Sequence, residues 1–175
     1  MKMRDVITLA ESAINWLAVP PEQMVQYVQQ WGHDRDLGDG DGGSTMSAPE
    51  IAVAQARFAA LVAAGPIQIY RGMVVRPASL DSGSGIGMCW TLDRRYAVPY
   101  NYEGLNHSIP TLMFTGVVEA SAVDWVSTIA LVNGGEQEIR LKQGARVVVT
   151  AIVDDYGASV REDLYGDIFY ARGAV

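Results

Sequence analysis

Two glutamates one residue apart, Glu136 and Glu138, follow Gly134-Gly135 and run into Ile139-Arg140-Leu141. In a strand, residues two apart point to the same face. Glu136 and Glu138 are therefore expected to project together, with Gln137, Ile139 and Leu141 turned the other way. Neighbouring carboxylates repel, so such a pair belongs on a solvated edge or at an electron-poor reacting centre. Arg71 points to chemistry from another direction. The run Pro66 to Val75 reads as a strand, and alternation places Ile67, Ile69, Arg71 and Met73 on one otherwise apolar face. A guanidinium there needs an anion, because burying an unpaired charge is very costly. The anion is either a carboxylate of the protein or a phosphate of a ligand. Gly72 beside it lets a ligand come close to the backbone. A third cluster runs from Gly87 to Tyr100. It reads as a short strand through Cys89-Trp90-Thr91, an N-cap at Thr91 or Asp93, and a brief helix. That helix start, with Arg94 and Arg95, makes a local positive site in an acidic chain.

Each cluster also has a plain structural reading. The glutamates alone suit a solvated strand edge paired with Arg140, and Arg71 alone suits a structural salt bridge. Trp90 reads as core; Tyr96, Tyr100 and Tyr102 read as core or rim. The run Asp34, Asp36, Asp39, Asp41 suggests a calcium loop that would start at Asp39 and end at Glu50. Gly43 and Ser44 then stand at its fifth and sixth positions, where a ligand and the sharp-turn glycine belong. An acidic loop is the expectation, with no metal. Cys89 and His107 could form a thiol and base, but nothing brings them together, and His33 carries no signal.

Taken in order, the clusters resemble the mono-ADP-ribosyltransferases of the Arg–Ser–Glu class. The pattern is an Arg-Gly on a first strand, a Ser-x-Ser/Thr strand leading into a helix, and a Glu-x-Glu strand. It covers roughly residues 66 to 153, about half the chain. The chain departs from the pattern at Cys89, which replaces the first serine and is a poorer hydrogen-bond donor. The resemblance implies an α+β fold of two packed, mainly antiparallel sheets with a central NAD cleft and helices on the N-terminal side. It implies Glu138 as the catalytic carboxylate on the ribose 2′-hydroxyl, and Glu136 as the group that positions the acceptor, with arginine favoured. Arg71 would hold the phosphate and ribose region of NAD, and the Gly72 backbone the nicotinamide carboxamide. Cys89 and Thr91 would brace the cleft, and Tyr100 would stack on nicotinamide. The implied partners are NAD and an unidentified target protein. An NAD glycohydrolase, a degenerate protein-binding member and an unrelated β-rich binding module remain open beside this reading.

The elements that must position these residues divide at about residue 65. Helices are expected over residues 5–18, from Pro20-Pro21 with Met24, Val25, Val28 and Trp31 inward, and from Pro49 with Ile51, Phe58, Leu61 and Val62 inward. Residues 32–48 read as a loop, and Gly65 as the last helix's stop. Strands are expected at Thr111–Glu119, Glu138–Leu141, Ala145–Val153 and Asp167–Tyr170, with Lys142-Gln143-Gly144 turning a hairpin and a loop at about Val126 to Gly135. The 1–65 helical part and the 66–175 β-rich catalytic part are expected to form one domain, since 175 residues suffice for one core. Hydrophobic residues make up 49% of the chain, so it is globular. A net charge of −7 argues against nonspecific nucleic-acid binding. The single cysteine, with no apolar run of membrane-spanning length and no secretory leader, suits a cytoplasmic protein of the producing or host cell, such as a toxin-like or phage effector.

Overall fold

The computed structural model of the chain describes residues 14–34, 46–83, 85–97, 111–134 and 137–172. Helix α1 (Pro21–Asp34) opens on a proline, whose missing N–H is no loss in the first turn. Met24 and Val28 are buried, with Val25 and Trp31 packed beside them. The helix runs three residues past Trp31, into the stretch expected as loop. In α2 (Ala48–Ala63) the Glu50 carboxylate turns back to accept the Ser47 backbone N–H at 2.8 Å and its hydroxyl at 2.7 Å. Gly65, at φ +117°, follows the helix in a conformation that glycine takes freely. Buried Gln55 donates to the carbonyls of Trp16 and Val19 at 2.9 and 2.8 Å, tying the segment before α1 to α2. Of the helix expected over 5–18, residues 5–13 lie outside the described residues. Residues 14–18 form a turn, closed by Ala18 N–H on the Asn15 carbonyl at 2.9 Å, because the chain must leave helical geometry before Pro20-Pro21.

The strands are β1 (Ile67–Val74), β2 (Gly85–Ile86), β3 (Cys89–Thr91), β4 (Thr111–Val118), β5 (Glu138–Arg140), β6 (Arg146–Val153) and β7 (Ile168–Ala171). The strands expected after residue 110 fall within one residue of these bounds. A short helix, α3 (Trp125–Ala130), lies where a loop was expected; Asp124 caps it by accepting Ser127 N–H at 3.1 Å. The fold is α+β, with one mixed sheet in the order β2-β7-β6-β4-β1-β3-β5. All pairs are antiparallel except β2 with β7. The strands thus form one continuous sheet in place of the two expected. The reason is β1, which pairs along its whole length with β4 and joins β3 on its other edge at Tyr70↔Thr91.

Chain connectivity rolls this sheet up. On a flat sheet β2 and β3 would stand five strand steps apart, about 24 Å. Only Gly87 and Met88 link them, and three residue steps span at most about 11 Å. The two ends of the sheet must therefore meet at this link. Hydrogen bonds fix the closure: Leu141 N–H to the Met88 carbonyl at 2.8 Å, Arg172 N–H to Ile86 at 2.7 Å, and Gly144 N–H to Ala171 at 2.6 Å. The turn at Lys142–Ala145 does form, with Gly144 at φ +77°. It does not make the expected hairpin, because β5 pairs with β3 while β6 pairs with β4 and β7.

One apolar cluster fills the interior, running from Met24, Ile51 and Phe58 on the helices to Ile69, Trp90, Phe114, Ile139, Ile152 and Phe169 on the strands. Phe58 and Trp125 join helix to helix, their ring centroids 5.4 Å apart. Trp90 reaches across the roll to Gly116 on β4. A Cβ there would lie 3.5 Å from the indole and only 2.6 Å from Val147 Cγ1. Valine cannot swing clear, since its χ1 is stiff. Gly116→Ala should therefore lower stability by about 1–3 kcal/mol. Chemical denaturation checks this, and Gly116→Ala combined with Val147→Ala should recover part of the loss.

Candidate functional site

Arg71 stands where β1 and β3 part. Antiparallel register carried on from Tyr70↔Thr91 would set Gly72 opposite Cys89, but the ladder stops at the first pair. Arg71 leaves β1 on the face of Ile67 and Ile69, as alternation predicts, and is half-buried. Its guanidinium lies over Gly87 and donates from Nη1 to the Cys89 carbonyl. Nε is buried with no partner, and no carboxylate of the described residues forms an ion pair with the group. Burial pushes the Arg71 pKa below its ordinary value, against the pull of Cys89 and Glu138. The plain alternative for Arg71, a structural salt bridge, does not form among the described residues.

Gly87 makes this arrangement possible. A Cβ there would fall on Nη2 and come within 2.5 Å of Cζ. The glycine sits in the link that closes the sheet, so one residue serves the closure and seats the guanidinium.

Cys89 and Thr91 share a face of β3, and β5 lies beside them with Thr91↔Glu138 and Cys89↔Arg140 in register. Tyr70, Thr91 and Glu138 thus form one row across three strands. Arg140 Nη1 donates to Cys89 Sγ at 3.5 Å, while its Nε is buried without a partner. Burial pushes the thiol pKa up, and so does its hydrogen bond to the Glu138 carboxylate; Arg140 and Arg71 pull it down. The net rise keeps Cys89 a thiol at neutral pH, able to donate to Glu138. Thr91 Oγ1 accepts the Asp93 N–H at 3.1 Å, and Asp93 Oδ1 accepts the Arg95 N–H at 2.9 Å. Both residues expected as caps therefore open the 3-10 turn Arg94–Ala97. Arg95 is paired with Asp93 at 2.5 Å, so the local positive site expected at that turn is one cation weaker.

Strand β5 is held on both sides. The Arg140 N–H bonds Thr128 Oγ1 at 3.0 Å, its carbonyl accepts the Asp124 N–H at 2.8 Å, and Leu141 bridges to Val123. Its start departs from expectation. Gln137 has φ +50°, in the left-handed region, and β5 begins only at Glu138. The two-residue alternation that put Glu136 and Glu138 on one face requires an extended Gln137, so that argument fails. Glu136 lies outside the described residues, as do Tyr100, Tyr102 and His107.

A cavity of about 390 Å³ opens on the sheet face that carries Tyr70, Thr91 and Glu138. Thr111 and Met113 form part of its wall, and the β4 register places them on that face. Arg94 and Arg95 bound one side, Asp154 and Asp155 another. No local pattern signals this cavity, because its walls come from three separate segments. A second cavity, about 340 Å³, lies between α2 and Val132-Asn133 and is also lined by Arg57. Among the described residues, no group of three or more His, Cys, Asp or Glu could hold a metal ion, and no helix is long and apolar enough to cross a membrane.

No protein-family model, curated protein or solved structure matches this chain.

Gly87→Ala tests the seat of Arg71. The added methyl should expel the guanidinium; if this is the seat of a phosphate-bearing ligand such as NAD, its affinity, measured by calorimetry, should fall by about tenfold or more, the scale of a lost charged hydrogen bond. Circular dichroism should be unchanged. An unaltered affinity would place any phosphate-bearing ligand elsewhere.

Proposed function

We propose that this chain is an NAD-dependent mono-ADP-ribosyltransferase that modifies a protein side chain. The observation that carries the reading is Arg71. It is a half-buried guanidinium with an unpartnered Nε and no carboxylate partner among the described residues, within electrostatic reach of Glu138. Such a cation calls for an anion, and with none supplied by the described residues a ligand phosphate fits. The seat over Gly87 suits the group too, since any side chain at that position would displace the guanidinium.

In this reading NAD lies in the split between β1 and β3, the finer form of the cleft expected from the resemblance. Arg71 holds its phosphate and ribose region. The Gly72 backbone, on the β1 edge beyond the last β3 pair, bonds the nicotinamide carboxamide. Breaking the bond between nicotinamide and ribose develops positive charge on the sugar. Glu138, gripping the ribose 2′-hydroxyl, stabilises that charge more in the transition state than in the ground state. Cys89 steadies the carboxylate by its hydrogen bond, and Thr91 braces the strand end through the cap. Tyr100 stacks on nicotinamide, and Glu136 orients an acceptor arginine. Those last two roles rest on the resemblance alone. Water in place of the acceptor would make the same site an NAD glycohydrolase. The protein would act in the cytoplasm of the producing or host cell.

Glu138→Gln removes the charge and keeps the shape. Turnover, followed as nicotinamide release, should fall by about 10²-fold or more with NAD affinity little changed. Near-normal turnover would defeat the proposal. Label transferred from NAD to protein in a lysate, measured beside nicotinamide release, separates transferase from glycohydrolase.

Arg71→Lys keeps charge but loses the planar fork. The KM for NAD should rise with the thermal midpoint preserved; an unfolded variant whose NAD binding was never local to β1 would return Arg71 to a structural role.

A further inference from the structure

We infer that Arg57, on helix α2, is a positioning residue for the catalytic strand, acting through Gln137. The inference rests on the proposed transferase reading and extends it to the helical half of the chain.

Gln137 is the residue just before Glu138, and its φ of +50° is one that side-chain-bearing residues seldom adopt. Such a conformation persists only where the surroundings over-determine it. Two contacts do so here. The Gln137 carbonyl accepts the Leu92 N–H at 3.1 Å, fixing the backbone to the end of β3. The side-chain Oε1 accepts Arg57 Nη2 at 2.7 Å, from a residue 80 positions earlier. Glutamine has no turn preference of its own to hold this geometry. Removing the Arg57 contact leaves one anchor where there were two.

The consequence falls on Glu138. A left-handed residue just before it interrupts the pleated alternation, so the aim of the Glu138 carboxylate depends on how firmly Gln137 is held. Arg57 forms no ion pair among the described residues, so its bond to Gln137 competes with no carboxylate there. It also lines the cavity between α2 and Val132-Asn133, on the chain segment that leads into the glutamate pair.

The test compares Arg57→Ala in two backgrounds, the natural chain and Gln137→Gly. Glycine takes a positive φ without strain and has no side chain for Arg57 to hold. In the natural background Arg57→Ala should lower kcat for transfer by about tenfold, as expected for a misplaced catalytic group, with KM for NAD within about twofold. In the Gln137→Gly background the same change should have no further effect. Amide hydrogen exchange is read alongside, without NAD: Leu92, whose N–H bonds the Gln137 carbonyl, should exchange about tenfold faster in Arg57→Ala, with global protection unchanged. Equal losses in both backgrounds, or unaltered exchange at Leu92, would overturn the inference. If the natural chain turns over no NAD, the transferase reading fails while the exchange measurement still decides the role of Arg57.

Discussion

The two-residue link between β2 and β3 is the constraint on which the rest of this structure hangs. Strands at opposite ends of the sheet order cannot be joined by Gly87 and Met88 unless the sheet closes on itself. Closure makes the interior that Trp90, Phe114 and Ile139 fill. It also fixes what lies beneath Arg71. A guanidinium on the inner face of β1 would meet packed side chains in an open sheet. Here it meets a glycine and a free ladder carbonyl. The charge is accommodated because the fold leaves a gap at this point, and the gap exists because β1 and β3 share a single registered pair.

Around that gap, the charges meet at Cys89. Arg71 and Arg140 both act on Cys89, and Glu138 acts on it with the opposite sign. Burial and the carboxylate outweigh the two cations, so the sulfur keeps its proton. Held protonated, it is a donor to Glu138, weak but correctly placed. A thiol at this position therefore supports the carboxylate weakly but in the right direction.

Much of this was legible in the sequence where a pattern repeats. The alternation of Ile67, Ile69 and Arg71 announced β1 and the face of its arginine. The apolar spacing of Met24, Val28, Ile51 and Phe58 announced the helices. What escaped notice was short or non-local. Helix α3 is too brief for periodicity to show, although Asp124, three residues before Ser127, carried its cap signal. Strand β2 has two residues and no pattern at all. The left-handed Gln137 was hidden because neither its type nor its neighbours predict it; Gly134-Gly135 drew the turn upstream, and Glu-x-Glu invited simple alternation. Arg57 carries no signal because it stands on the exposed side of its helix, where a charged residue is ordinary. The roll of the sheet follows from pairing order, which no single segment encodes.

The treatment of β5 has a consequence for how other proteins can approach. An exposed strand edge is a template on which a foreign peptide can pair. The outer edge of β5 is occupied by Asp124, Thr128 and the Val123 bridge, and the opposite end of the sheet is a strand of only two residues. Among the described residues, neither terminal strand offers a long free ladder. A visiting chain must therefore be recognised by its side chains and surface shape rather than captured by backbone pairing. The same closure protects against unwanted association, so β5 can lie at the margin of its sheet without seeding aggregation there.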